Sequence, residues 1–123
     1  MAGSSFSIHG EALLDGDSSG GVAVTLYDCG SPDETRTLGA NEVLYVTDVQ
    51  IFVEGAQGGT DVWLVADSKA AGKYVTHGHL DQYGGLVVNF RKPFVCAPGV
   101  GLKFYGADAD LNVCLVEGFI EEA

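Results

Sequence analysis

Positive charge is scarce in this sequence. Arg36, Lys69, Lys73, Arg91, Lys92 and Lys103 stand against seventeen carboxylates, for a net charge of −11 with the three histidines neutral. A chain of that sign repels phosphate, which argues against nucleic acid and anionic membrane surfaces as partners. The charge suits solubility, or docking on a basic partner surface. Cysteine is scarce too. Cys29, Cys96 and Cys114 are odd in number and form no C-x-x-C pair, so a complete disulfide framework is excluded. Each sits in or beside an apolar run and is expected as a reduced core thiol, made in a reducing cytoplasm. A bridge between Cys96 and Cys114 is the alternative. Met1-Ala2-Gly3-Ser4-Ser5 has neither the basic residues nor the apolar run of a signal peptide. No window approaches the roughly 18 apolar residues that cross a bilayer, so neither secretion nor membrane insertion is expected.

A persistent helical stripe is also missing. No apolar period of 3.6 lasts three turns, and only Asp67–Lys73 offers a single helical turn, which Gly72 opposes. Glycine, by contrast, is plentiful and clustered, at Gly20-Gly21, Gly58-Gly59, Gly84-Gly85 and Pro98-Gly99-Val100-Gly101. Short runs rich in Val, Leu, Tyr, Phe and Thr lie between these turn signals, as in antiparallel strands. Strands are predicted at Phe6–Ile8 (as strand or arm), Val22–Tyr27, Thr35–Leu38, Val43–Glu54, Asp61–Ala66 and Tyr74–His79. Others follow at Leu86–Phe90, Phe94–Cys96, Leu102–Tyr105 and Leu111–Val116. Within Val43–Glu54, the Thr47-Asp48 pair marks a bend or bulge that changes which residues face inward. The 123 residues suit one domain. So many short strands in one domain require packed sheets or a closed barrel. An all-β, single-domain antiparallel β-sandwich is expected, with Trp63 as an inter-sheet core or subunit-contact residue rather than a sugar platform.

Chemistry-bearing patterns are few. His77-Gly78-His79 on a strand would project both imidazoles from one face, making them candidate metal ligands. A metal needs more ligands, and Asp81 and His9 are the nearby candidates by type. The cupin pattern wants a carboxylate just beyond H-x-H, where Tyr83 and Gly84 stand. Asp15-Gly16-Asp17 begins like a calcium loop, but its twelfth position is Leu26 rather than Glu. Asp108-Ala109-Asp110 reads as a turn. There is no nucleophile elbow, P-loop or dinucleotide fingerprint. No catalytic residue and no cofactor are expected.

Four motifs carry a resemblance: Tyr45-Val46-Thr47-Asp48, Phe90-Arg91-Lys92-Pro93, Gly99-Val100-Gly101-Leu102 and the closing Gly118-Phe119, where Tyr is usual. Over roughly Leu38 to Phe119 the chain resembles the small jelly-roll capsid decoration (cement) proteins of tailed bacteriophages. The resemblance implies a jelly-roll sandwich on the outer surface of the virion, made in the host cytoplasm. It implies the major capsid protein and the chain's own copies as partners, in homotrimers or dimers that clamp neighbouring capsid subunits by avidity. On this reading residues 1–14 form an N-terminal arm and residues 15–123 the sandwich. Phe6, Ile8, His9, Leu13 and Leu14 are then the candidate partner-binding side chains. The alternatives are a fibre or receptor-binding module using exposed aromatics such as Tyr83 or Tyr105, and a cupin-like metal protein using His77 and His79.

Overall fold

In-and-out alternation along short extended segments closes two antiparallel sheets face to face in the computed structural model, which describes residues 6–14, 18–55, 59–67, 73–106 and 111–123. The strands are β1 (Phe6–Leu14), β2 (Ser18–Ala23), β3 (Thr25–Asp28), β4 (Ser31–Thr35), β5 (Glu42–Glu54), β6 (Thr60–Ala66), β7 (Tyr74–Leu80), β8 (Gly85–Val95), β9 (Leu102–Gly106) and β10 (Leu111–Glu122). No helix occurs among the described residues. One sheet has six strands in the order β4-β3-β1-β10-β5-β8, and the other has four in the order β2-β9-β6-β7. The pairings nest: β1 with β10, β2 with β9, β5 with β8, β6 with β7. The chain is thus a long ribbon folded back on itself and wrapped, with the β3–β4 hairpin added at one edge.

Between the sheets lie Ile8, Leu14, Leu44, Val46, Val49, Ile51, Val62, Leu64, Phe104, Cys114, Val116 and Ile120, all buried. Removing such side chains from water is the main stabilising term, at about 1.5–3 kcal/mol each for the larger ones. Two buried positions among the described residues are polar, Thr60 and Asn112. Asn112 is fully buried, and neither its amide nitrogen nor its oxygen has a hydrogen-bond partner.

The expected bulge is present. Glu117 pairs with Asp48 and the next residue, Gly118, pairs with Val46, so Thr47 is the extra residue. Its hydroxyl donates to the Glu117 carbonyl at 3.1 Å. The extra residue shifts the parity of β5, so that Leu44 and Val46 on one side of it face the core with Val49, Ile51 and Val53 on the other. On the neighbouring strand Asn89 pairs with Asp48 and Phe94 with Val46, leaving Phe90, Arg91, Lys92 and Pro93 opposite Thr47 alone. The expected strands Leu86–Phe90 and Phe94–Cys96 are therefore one bulged strand, β8. It lies at a sheet edge, where Pro93 forfeits no ladder bond.

Three further segments differ from expectation. Residues 6–14, expected within an arm, are β1, paired with β10 on one side and β3 on the other. The inward positions of β1 are Ile8, Gly10, Ala12 and Leu14; two are too small to look hydrophobic, which hides the alternation. Val22–Tyr27 is two strands. The chain passes from the four-stranded to the six-stranded sheet at Val24, whose N–H donates to the Leu102 carbonyl at 3.0 Å. Gly10 makes room for this crossing, since a Cβ there would come 2.7 Å from Val24 Cγ1. β4 replaces the strand expected at Thr35–Leu38; its Pro32, Asp33 and Glu34 are the residues of a protected edge. Most of the single turn at Asp67–Lys73, and the Asp15–Asp17 and Asp108–Asp110 clusters, lie outside the described residues.

Candidate functional site

Side chains on the outward face of the six-stranded sheet fall into cross-strand rows set by register. Leu13, Val113 and Phe52 form one row, and Glu11, Leu115, Gln50 and Val87 the next. His9, Glu117, Asp48 and Asn89 follow, and beyond the bulge come Phe119, Tyr45 and Val95. Several of these apolar residues are open to water: Leu13 is 61% and Val87 63% exposed, and Phe52 and Val95 are also exposed. Tyr45 and Phe119 stack, with ring centroids 4.7 Å apart and planes 9° apart.

The middle rows line a groove of about 360 Å³ spanning β1, β10, β5 and β8. Leu115 and Val87 give it apolar floor, while Glu11, Asp48 and Glu117 give it carboxylates; among the described residues neither lysine nor arginine lines it. Glu117 and Asp48 occupy directly paired positions. Like charges facing each other across a ladder oppose sheet formation. The Asn89 amide donates to Asp48 Oδ1. His9 Nε2 lies 3.4 Å from Glu11 Oε1 without forming a hydrogen bond, and its ring tilts against Tyr27 at 5.3 Å. A second concavity of about 400 Å³, lined by Leu13, Val22, Tyr27 and Val113 among others, shares Glu11 and Leu115 with the first. Apolar contact area and hydrogen-bond acceptors of one charge sign thus run together across the sheet.

Of the side chains expected to meet a partner, His9 and Leu13 lie on this outward face. Ile8 and Leu14 do not: they alternate inward and are buried in the core, so they cannot contact a partner. Phe6 pairs through its backbone with Ile120, and its side chain lies outside the described residues. Asp48, Gln50, Val87, Asn89, Leu115 and Glu117 escaped sequence reasoning. Alternation could mark each as outward, but only the register of strands far apart in sequence brings them together.

His77 and His79 both face outward on β7. His79 Nδ1 lies 2.8 Å from Asp61 Oδ1, and its ring packs over Gly59, where a Cβ would collide with Nε2. His77 instead leans on Tyr74, with centroids 5.7 Å apart. Among the described residues no three metal-ligating side chains converge. Trp63 pairs with His77 and Tyr105 on the outer side of the four-stranded sheet, because its neighbours Val62 and Leu64 take the inward positions; it is not an inter-sheet core residue. Tyr105 is 7% exposed and so is not an open contact residue, whereas Tyr83 is 73% exposed. Cys96 and Cys114 are buried as expected, and burial pushes their thiols up to about 11 and about 12. Cys29 is exposed in the β3–β4 turn, where Gly30 N–H donates to Asp28 Oδ1 at 2.8 Å, so it is not a core thiol. All three are free thiols.

No protein-family model and no curated protein sequence matches the chain.

Proposed function

We propose that this chain is a bacteriophage capsid decoration protein that docks, without catalysis, on the outside of the head through the outward face of its six-stranded sheet. The observation that carries the reading is the apolar face itself. Leu13, Phe52 and Val87 stand exposed across a continuous sheet, next to half-buried Val113 and Leu115. Contiguous exposed apolar surface rimmed by polar groups marks interaction sites. The nested strand pairing supports the same reading, because a wrapped ribbon of paired strands is the jelly-roll arrangement. The sequence motifs of the resemblance support it as well. Tyr45–Asp48, Phe90–Pro93 and Gly118-Phe119 all meet at the double bulge beside this face.

On this reading the major capsid protein is the partner, and several linked copies, as a trimer or a dimer, hold the shell together through individually weak contacts. The virion surface is the place of action.

The test is co-sedimentation with expanded heads. Deleting residues 1–14 would remove β1 and disturb folding rather than docking, so exposed side chains are the ones to change. Wild-type chain should pellet with heads, and the pair Phe52→Ser and Val87→Ser should pellet poorly while keeping its unfolding midpoint. Wild-type chain that stays in the supernatant would end the proposal.

A further inference from the structure

We infer that the groove spanning β1, β10, β5 and β8 receives an arginine or lysine side chain from an extended, otherwise apolar segment of the partner. The inference rests on the docking reading and names the chemistry of the occupant. Three observations lead to it. First, Glu117 and Asp48 stand on paired positions of β10 and β5, and Glu11 lines the same groove, with no lysine or arginine among the described lining residues. Like-charged residues on paired positions are unfavourable in the free protein. A cation seated between them relieves that repulsion, whereas an anion or a second copy of this chain's acidic surface adds to it.

Second, the carboxylates adjoin apolar surface. Leu115 and Val87 sit one row away on the same face, and Leu13, Val113 and Phe52 one row further. A long basic side chain matches this layout, because its methylene stem lies along apolar atoms while its head reaches acceptors. A volume of about 360 Å³ is at the small end of ligand-sized sites and holds one such side chain with part of its flanks. Third, the whole chain carries net −11, so a basic partner is drawn in over a distance as well as at contact. Arginine fits better than lysine where two carboxylates occupy paired positions, since its planar head donates several hydrogen bonds at once. The flanking apolar residues of the segment then cover Leu13 and Phe52.

The experiment titrates the isotopically labelled full chain with the capped peptide Leu-Val-Arg-Val-Leu and, separately, with Leu-Val-Gln-Val-Leu, following amide shifts by NMR. The expected result is saturable shifts at His9, Asp48, Val87, Leu115 and Glu117 with the arginine peptide only. Glu117→Gln should weaken binding by about fivefold to tenfold, and raising salt from 0.05 to about 0.5 M should weaken it further. Equal shifts with both peptides, shifts mapping elsewhere, or no shifts would overturn the inference. Shifts at these residues that depend on protein concentration without peptide would instead make a second copy the occupant. Failure of the two ideas is separable. If the chain pellets with heads but the arginine peptide leaves the groove unmoved, docking stands and the basic side chain falls. If the peptide binds but heads do not, the reverse holds.

Discussion

The backbone of Gly118 rests against the carbonyl oxygen of Tyr45, so closely that a single methyl group on Gly118 could not be accommodated. This approach exists because Thr47 is bulged out and Gly118 follows directly on the residue paired with Asp48. Gly118→Ala should therefore destabilise the fold by at least about 2 kcal/mol, the cost of forcing backbone apart in a packed sheet. Gly101→Ala is the control. Its Cβ would meet nothing within 4 Å, so its effect should stay within about 0.5 kcal/mol. Urea unfolding of both variants measures the difference, and equal midpoints would contradict this geometry.

Leu13 and Leu14 are neighbours in sequence with opposite fates, at 61% and 5% exposure. Leu14→Ala should cost about 2–5 kcal/mol, as core leucines do, and Leu13→Ala less than about 0.5 kcal/mol. If both were harmless to stability, residues 6–14 would not be the central strand described above.

The three thiols should differ in reactivity and in their effect on stability. Cys29 alone should label in the native protein, with Cys96 and Cys114 reacting only on unfolding. Both buried thiols shift upward from 9.0, to about 11 and about 12, because burial disfavours the thiolate. Well below pH 9 both states keep these protons and stability is unaffected. Above pH 9 the unfolded chain loses these protons and the folded chain keeps them, so stability falls as pH rises towards about 11 and 12. Cys114→Ala should flatten part of that fall in a series of denaturation curves at increasing pH. An unchanged slope would count against a buried neutral thiol there.

Asn112 occupies a core position with its amide unpartnered, pressed against Gly106, where a Cβ would come 2.8 Å from Asn112 Cγ. Replacing it with alanine leaves a small void but removes a desolvated polar group that costs about 1–3 kcal/mol. The two effects offset, and Asn112→Ala should change stability by less than about 1 kcal/mol. Gly106→Ala should be clearly destabilising alone and milder in the Asn112→Ala background, a coupling of about 1–2 kcal/mol in a double-mutant cycle. Additive effects would show that the two residues do not press on each other.

The sandwich was legible because most strands bury one face, and burial of one face leaves a period of two in the sequence. The bulge was legible for a related reason. Leu44 and Val46 demand one parity, Val49, Ile51 and Val53 the other, and both can be inward only if a residue is inserted between them. Of β1 only Phe6–Ile8 was read, as strand or arm, because Gly10 and Ala12 fill inward positions, and a Cβ on Gly10 would press on Val24. The break at Val24 was missed because Val22–Tyr27 has only Thr25 as a polar residue and so looks like one strand. The groove was not legible at all. Its residues come from β1, β5, β8 and β10, and no local pattern states which of them will be opposite which. The segments Tyr45–Asp48, Phe90–Pro93 and Gly118-Phe119, far apart in sequence, come together at the double bulge.

The nested pairing has a temporal consequence. During translation β1 emerges before its neighbour β10, which begins at Leu111 and ends at Glu122. At about 5–20 residues per second the ribosome takes on the order of 5–20 s to deliver that neighbour. Through that interval the nascent sheet has an open seam down its middle. Until β10 arrives, β1 and β5 each present an unpaired strand edge, the part of a sheet most open to wrong pairing.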